Sequence, residues 1–334
     1  MKIFIYPSIA RGNIGINPYL KNLKKSLEPH CEVCTPRNKV KLPPMLVFLL
    51  HCWKSDAYVL NWIEDAAFGK LKSFGAIICL VGLKIIHIRK AKIIWIFHNI
   101  HPHKGETFWS VRIKKFLFTN STFIVSHSEA GANYAIQHAK CPVFFKNHPI
   151  KEVNYDIWEG NVRECDFFYW SYISPYKGIL EFLSNPLCKL SGKKIFILGK
   201  SSTETIRTEI EKHTSNNIIY ENRQADFCEI AAQCRTAKYV IFPYIGDSIS
   251  SSGVLMDTLL MGGTPVGPNR GAFADLAAQG CCLTYESIDE IFYLPTDITN
   301  QIKLDPVKVN SFIKKNTWTS FGQWMYNMIY SQKE

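Results

Sequence analysis

The chain has 334 residues, 47% of them hydrophobic and 20% charged, which is length enough for two α/β domains and too apolar for a disordered or low-complexity protein. Its net charge of +11 is uneven. Residues 1–150 hold 21 Lys and Arg against seven Asp and Glu, a net +14, and the remainder carries −3.

From the N-terminus, KIFIYP (2–7), AYVLNW (57–62), KIIWIFHN (92–99) and TFIVSH (122–127) read as buried parallel strands. Helical patterns lie between them, such as NPYLKNLKKSL (17–27) and EAGANYAIQHA (129–139). The opening MKIFIYPSIARG carries no signal-peptide core. Eleven cysteines, an odd number scattered through apolar runs, read as reduced thiols packed as small hydrophobes in a cytoplasmic protein. The lone Cys31–Cys34 CxxC has no second pair to complete a zinc site.

Two apolar stretches, 42–53 and 74–88, are too short to span a bilayer and read as buried helices or as surfaces resting on a membrane. A basic half with apolar segments suits an anionic membrane surface; a solvated basic face is the plainer reading. Nucleic acid is not expected, because no RNP, zinc-finger or helix-turn-helix pattern accompanies the charge.

After a polar interruption over 147–165 the strand pattern restarts with DFFYWSYI (166–173), KKIFILGK (193–200), NIIYEN (217–222), AKYVIFPY (237–244) and TPVGP (264–268). The expected domains are 1–152 and 153–312, with 313–334 a final helix returning to the first. In doubly wound sheets ligands sit beyond the carboxyl ends of the strands, so the chemistry is expected just after each run.

One stretch there is SSSGVLMDTLLMGGTPVGPNRGAF (250–273). Ser251, Ser252 and Gly253 open an apolar helix with little side-chain bulk, and a helix start offers unsatisfied amides and partial positive charge to phosphate oxygens. Asp257, one turn further in, falls about 6 Å along the same face at 1.5 Å per residue, where the ribose of a nucleotide would lie. The same residues also fit a serine-capped helix carrying an unrelated acid.

This run resembles the nucleotide-sugar loop and helix of GT-B glycosyltransferases, in particular retaining glycosyltransferase family 4 and its relatives in bacterial surface-polysaccharide synthesis. The matching residues are Ser252-Gly253, Asp257, Gly262, Pro268 and Gly271. WSYISPYKGI (170–179) is similar to the family's strand, turn and Lys-Gly segment, which makes Lys177 the cation for the donor diphosphate. IIWIFHNIHPHKG (93–105) resembles the N-terminal strand that ends in a histidine at the cleft, which gives His98 contact with the transferred sugar. The three histidines of that loop also suit a metal, although GT-B enzymes usually work without one; no metal or cofactor is expected.

Further positions follow with less specific motifs. Gly15, with Gly12, permits close approach of the backbone near the donor; Gly199 and Lys200 extend the diphosphate site; and Arg223 falls in the segment that recognises the base. Glu106 and Glu129 are the available candidates for a catalytic base. Two departures stand out: Ile249 replaces the family's first acid, eight before Asp257, and Tyr172 replaces its diphosphate arginine.

The resemblance implies an α/β protein of GT-B fold, with two Rossmann-like doubly wound domains facing a central cleft. It implies a hexosyltransferase that moves sugar from a nucleotide-diphosphate-sugar to a growing glycan. With the basic, apolar first half, the acceptor reads as a lipid-linked saccharide and the location as peripheral at the inner membrane face. The readings left beside it are a basic nucleic-acid-binding protein, a dehydrogenase or epimerase, which would need the dinucleotide fingerprint the chain lacks, and a nonenzymatic GT-B relative.

Overall fold

The computed structural model describes residues 1–7, 18–34, 43–67, 72–100, 105–246, 251–297 and 299–331. The chain forms two compact units, one of Met1–Pro149 with Thr317–Glu334 and one of Ile150–Asn316.

The first unit runs β1 (Lys2–Tyr6), α1 (Pro18–Leu27), β2 (Glu32–Cys34), α2 (Pro44–His51), β3 (Ala57–Asn61), α3 (Lys72–Ile88), β4 (Lys92–Phe97), α4 (Phe108–Asn120), β5 (Phe123–Ser126), α5 (Glu129–His138) and β6 (Val143–Phe145). The second runs β7 (Phe167–Trp170), α6 (Ile179–Ser184), α7 (Pro186–Leu190), β8 (Ile195–Leu198), α8 (Glu204–Glu211), β9 (Ile218–Glu221), α9 (Phe227–Thr236), β10 (Tyr239–Ile241), α10 (Gly253–Leu260), β11 (Pro265–Pro268), α11 (Gly271–Ala278), β12 (Leu283–Tyr285) and α12 (Pro306–Lys315). Last comes α13 (Trp318–Ser331), which belongs to the first unit.

Each unit holds a six-stranded sheet, in the orders β2-β1-β3-β4-β5-β6 and β12-β11-β10-β7-β8-β9, with parallel pairing throughout. Central strands such as β3 and β7 are buried along their whole length, because helices cover both faces. In β1, Ile3 and Ile5 face α1 and α13 while Phe4 and Tyr6 face α2 and α3, the alternation that a two-sided core requires. The strands that the sequence pattern did not single out are β2, β6 and β12, each three residues long.

The two greasy stretches are helices. α2 crosses α3 where Gly82 meets the Phe48 ring; an added Cβ would lie 2.6 Å from Phe48 Cε1. Among the described residues no helix is long and apolar enough to cross a membrane. The stretch from 313, expected as one final helix, is divided between α12 and α13, with the break at Asn316. α13 lies so close to α1 that a Cβ on Gly322 would come within 2.3 Å of the Ser26 carbonyl.

Both sheets have a strand-order reversal, between β1 and β3 in the first unit and between β7 and β10 in the second. At such a point adjacent strand ends send their chains to opposite faces and open a crevice. Pro7 and Trp62 follow the first pair of strands, and Lys177 and α10 follow the second.

Candidate functional site

Ser252 caps α10. Its backbone is extended (φ −142°) and its hydroxyl accepts a hydrogen bond from Leu255 N at 3.2 Å, leaving the small residue Gly253 exposed at the helix start. The helix is pinned to the sheet by Trp170, whose indole N–H donates to buried Thr258 Oγ1 at 3.0 Å. Its amide-bearing end therefore faces the carboxyl edge at the β7/β10 reversal.

Lys177 comes to the same place from β7. A 3-10 turn over Pro175–Lys177 delivers it, and Gly178 follows at φ 66°, where a Cβ would stand 1.8 Å from the Pro243 carbonyl. Only glycine fits that approach. Lys177 is 7% exposed, and its Nζ donates to the hydroxyl of Tyr244, whose ring it overlies at 4.5 Å. Burial pushes the Tyr244 hydroxyl up in pKa while the nearby Ser252 side chain opposes the rise, and Arg270 Nη2 donates to the Tyr244 carbonyl at 3.2 Å. Tyr244 thus stands between Lys177 and the start of α10, with a second cation alongside.

Burial pulls the Lys177 ammonium below its ordinary pKa, partly offset by Tyr176. Among the described residues no carboxylate forms an ion pair with it. A desolvated cation without a counter-charge is costly, and here it sits beside a helix N-terminus of the same sign. The arrangement is poised for an anion.

Asp257 is buried and accepts a hydrogen bond on Oδ2 from Lys151 Nζ at 2.7 Å. Burial raises its pKa and Lys151 opposes the rise. Lys151 in turn overlies the Phe227 ring at 4.8 Å, and Tyr155, within electrostatic reach of Asp257, buries a hydroxyl that no hydrogen bond satisfies among the described residues. Lys151 lies 106 residues from Asp257 in sequence, so no local motif could have found it.

The other expected residues are dispersed. Gly15 lies outside the described residues. Ser251 is half-buried beside the cap, while Tyr172 and Lys200 are exposed. Gly199 is required by packing, since a Cβ there would sit 1.8 Å from the Ser171 carbonyl. Arg223 is tied up in ion pairs to Glu221 and Glu229.

In the first unit, Glu106 pairs with Lys114 at 3.1 Å, and Glu129 opens α5, exposed. His98 is 3% exposed, stacked on Trp62 with centroids 4.1 Å apart, and flanked by Tyr19, His127 and His148. Burial, with those two imidazoles, holds it well below the usual histidine pKa. His101 and His103 lie outside the described residues, among which no group of three metal-ligating side chains occurs.

No family model and no curated protein matches the chain. Solved structures do. Anabaena HepE, in complex with UDP and glucose, is similar at a TM-score of 0.72 and 13% identity, over 99% of this chain and 100% of that one. A glycosyltransferase from Rickettsia africae gives 0.60 at 12%, over 99% and 98%. The trehalose-6-phosphate synthase OtsA gives 0.66 at 10%, over 98% of each. Likeness at these identities is likeness of fold, and the fold is GT-B, built from two Rossmann-like parallel-sheet units.

Proposed function

We propose that the chain is a glycosyltransferase that takes a hexose from a nucleoside-diphosphate donor bound at the β7/β10 edge of its second unit. The observation that carries this reading is buried Lys177, without a carboxylate partner among the described residues and bonded to Tyr244, whose hydroxyl lies near the Ser252 cap of α10. In HepE, crystallised with UDP-glucose, the same fold holds a uridine nucleotide sugar, so UDP-hexoses are the first donors to test.

In this reading the helix start and Lys177 hold the diphosphate. As the glycosidic bond breaks, negative charge grows on the leaving phosphate, and fixed donors in a dry site stabilise it without reorganising. Arg270 adds a second cation. Asp257 receives the ribose hydroxyls, with Lys151 as the counter-ion that keeps its carboxylate ionised. His98 is the residue we assign to contact with a sugar hydroxyl. The acceptor is a lipid-linked saccharide, and the net +14 of residues 1–150 draws the chain to an anionic membrane face.

The test is a thermal-shift titration with UDP and UDP-glucose. A ligand that binds only the folded form raises the melting point with concentration, and a rise is expected for the parent and none for Lys177→Met at the same concentrations. A parent that UDP, GDP and ADP all leave unmoved contradicts the proposal. So does a Lys177→Met variant that responds as the parent does.

A further inference from the structure

Asn61 ends β3 fully buried, and its side chain decides the protonation of His98. Its Nδ2 donates to the Tyr6 carbonyl at 3.0 Å, and its Oδ1 lies 3.1 Å from His98 Nε2. A carbonyl oxygen only accepts, so the amide nitrogen has to face Tyr6, and a flipped amide would set oxygen against oxygen. The amide oxygen that faces His98 also only accepts. His98 Nε2 therefore carries a hydrogen, and in the neutral ring Nδ1 bears the lone pair.

Three neighbours fix the ring in that state. Trp62 stacks on it with planes 14° apart, and reaches it from φ 46°, a left-handed backbone that a bulky residue adopts at a cost. Tyr19 meets it edge-on at 5.0 Å. His127, at 5.8 Å, is itself fixed: its Nδ1 faces the Lys146 carbonyl at 2.7 Å and must donate, so its Nε2 takes the proton of the Tyr19 hydroxyl at 2.7 Å. Burial above all, with His127 and His148 beside it as smaller causes, makes a charged His98 unfavourable. Among the described residues no hydrogen bond occupies His98 Nδ1.

We propose that Asn61 and Trp62 are positioning residues that lock His98 as the neutral Nε2–H tautomer, so that Nδ1 is held ready to accept a hydrogen bond from a substrate hydroxyl. The role toward substrate rests on the proposed function; the tautomer does not.

The experiment combines a spectrum with kinetics on the full chain. Long-range nitrogen–proton correlation at neutral pH, on protein with labelled histidine and His98 assigned by its loss in His98→Gln, reads the tautomer directly. A proton on Nε2 alone is expected; a proton on Nδ1, or on both nitrogens, overturns the proposal. Asn61→Leu and Trp62→Gly should each lower kcat with UDP-glucose, by about tenfold to a hundredfold for a misplaced group, while the Kd for UDP stays within about twofold. Trp62→Phe, which keeps a ring over the imidazole, should recover part of the rate. Variants that fold and keep the parental kcat overturn the positioning role. If UDP binds and responds to Lys177→Met but the tautomer is wrong, this inference fails alone; if the tautomer is right and no donor binds, the proposed function fails alone.

Discussion

At the scale of single residues, Glu64 offers a sharp test of the burial it experiences. It is 3% exposed, no hydrogen bond among the described residues reaches its Oε2, and burial pushes its carboxyl from 4.5 up to about 7. The folded chain holds a proton there that the unfolded chain releases, so this group costs stability as pH rises from about 4.5 to about 7 and the loss is complete above that window. Glu64→Gln should therefore gain on the parent by up to on the order of 3 kcal/mol at pH 8 and much less at pH 5, read by urea unfolding. His98 and His127 act in the opposite sense, kept neutral by burial and weakening the fold as pH falls below 6.5, but they are common to both proteins and cancel in the difference. An equal gain at both pH values would show that Glu64 does not titrate as its burial requires.

Asp257 separates two roles by the same kind of logic. Lys151→Ala leaves its carboxylate buried without a counter-charge and should cost roughly 2 kcal/mol of stability, less than a fully buried pair because both groups retain some exposure. Asp257→Asn removes the charge and should weaken UDP binding by about tenfold, the worth of a hydrogen bond to a charged group. Titration calorimetry that finds UDP affinity unchanged in Asp257→Asn would leave Asp257 a structural partner of Lys151 only. Local motifs in the sequence point to Ser252, Lys177 and Asp257 separately. What joins them was illegible there, since Tyr244 lies 67 residues from Lys177 and Lys151 lies 106 from Asp257, and side-chain pairing at that separation leaves no periodic trace.

At the scale of elements, strands buried on both faces were legible because their runs are nearly all apolar, as in the fully buried AYVLN of β3. The three-residue strands β2 and β6 are only half-buried, and a run that short reads as loop. The final helix expected over 313–334 shows the complementary failure: the structure divides that stretch between α12 and α13, and the break at Asn316 falls where the chain passes from one unit to the other. Close packing of α13 on α1 makes a prediction at this scale. Gly322→Ala would drive a methyl to 2.3 Å from the Ser26 carbonyl, so the helices must part, at a cost of about 1–3 kcal/mol for overpacking. Urea unfolding of that variant with the parental midpoint would mean that α13 yields without loss.

At the scale of the molecule, the charge asymmetry visible in the sequence acquires a surface. On α3, Phe74, Ile77, Val81 and Ile88 are exposed at helical spacing along one face, with Lys84 in the same stripe. α4 lies beside it, joined by the Trp109–Ser73 hydrogen bond of 3.1 Å, and exposes Phe108, Val111, Arg112 and Lys115. Apolar side chains interleaved with cations are suited to the interface of an anionic bilayer. Sedimentation with phosphatidylglycerol vesicles should capture the parent, with capture falling as salt rises and lost in the double variant Phe74→Asp, Val81→Asp. Equal capture by neutral vesicles, or parental capture of the double variant, would contradict a membrane role for this face.

The proposed function requires a diphosphate at the start of α10, which a crystal grown with UDP would reveal. The prediction is phosphate oxygens within hydrogen-bond distance of the Gly253 amide and Lys177 Nζ, with the ribose on Asp257. UDP bound elsewhere, with Lys177 still on Tyr244 and the helix start unoccupied, would contradict it.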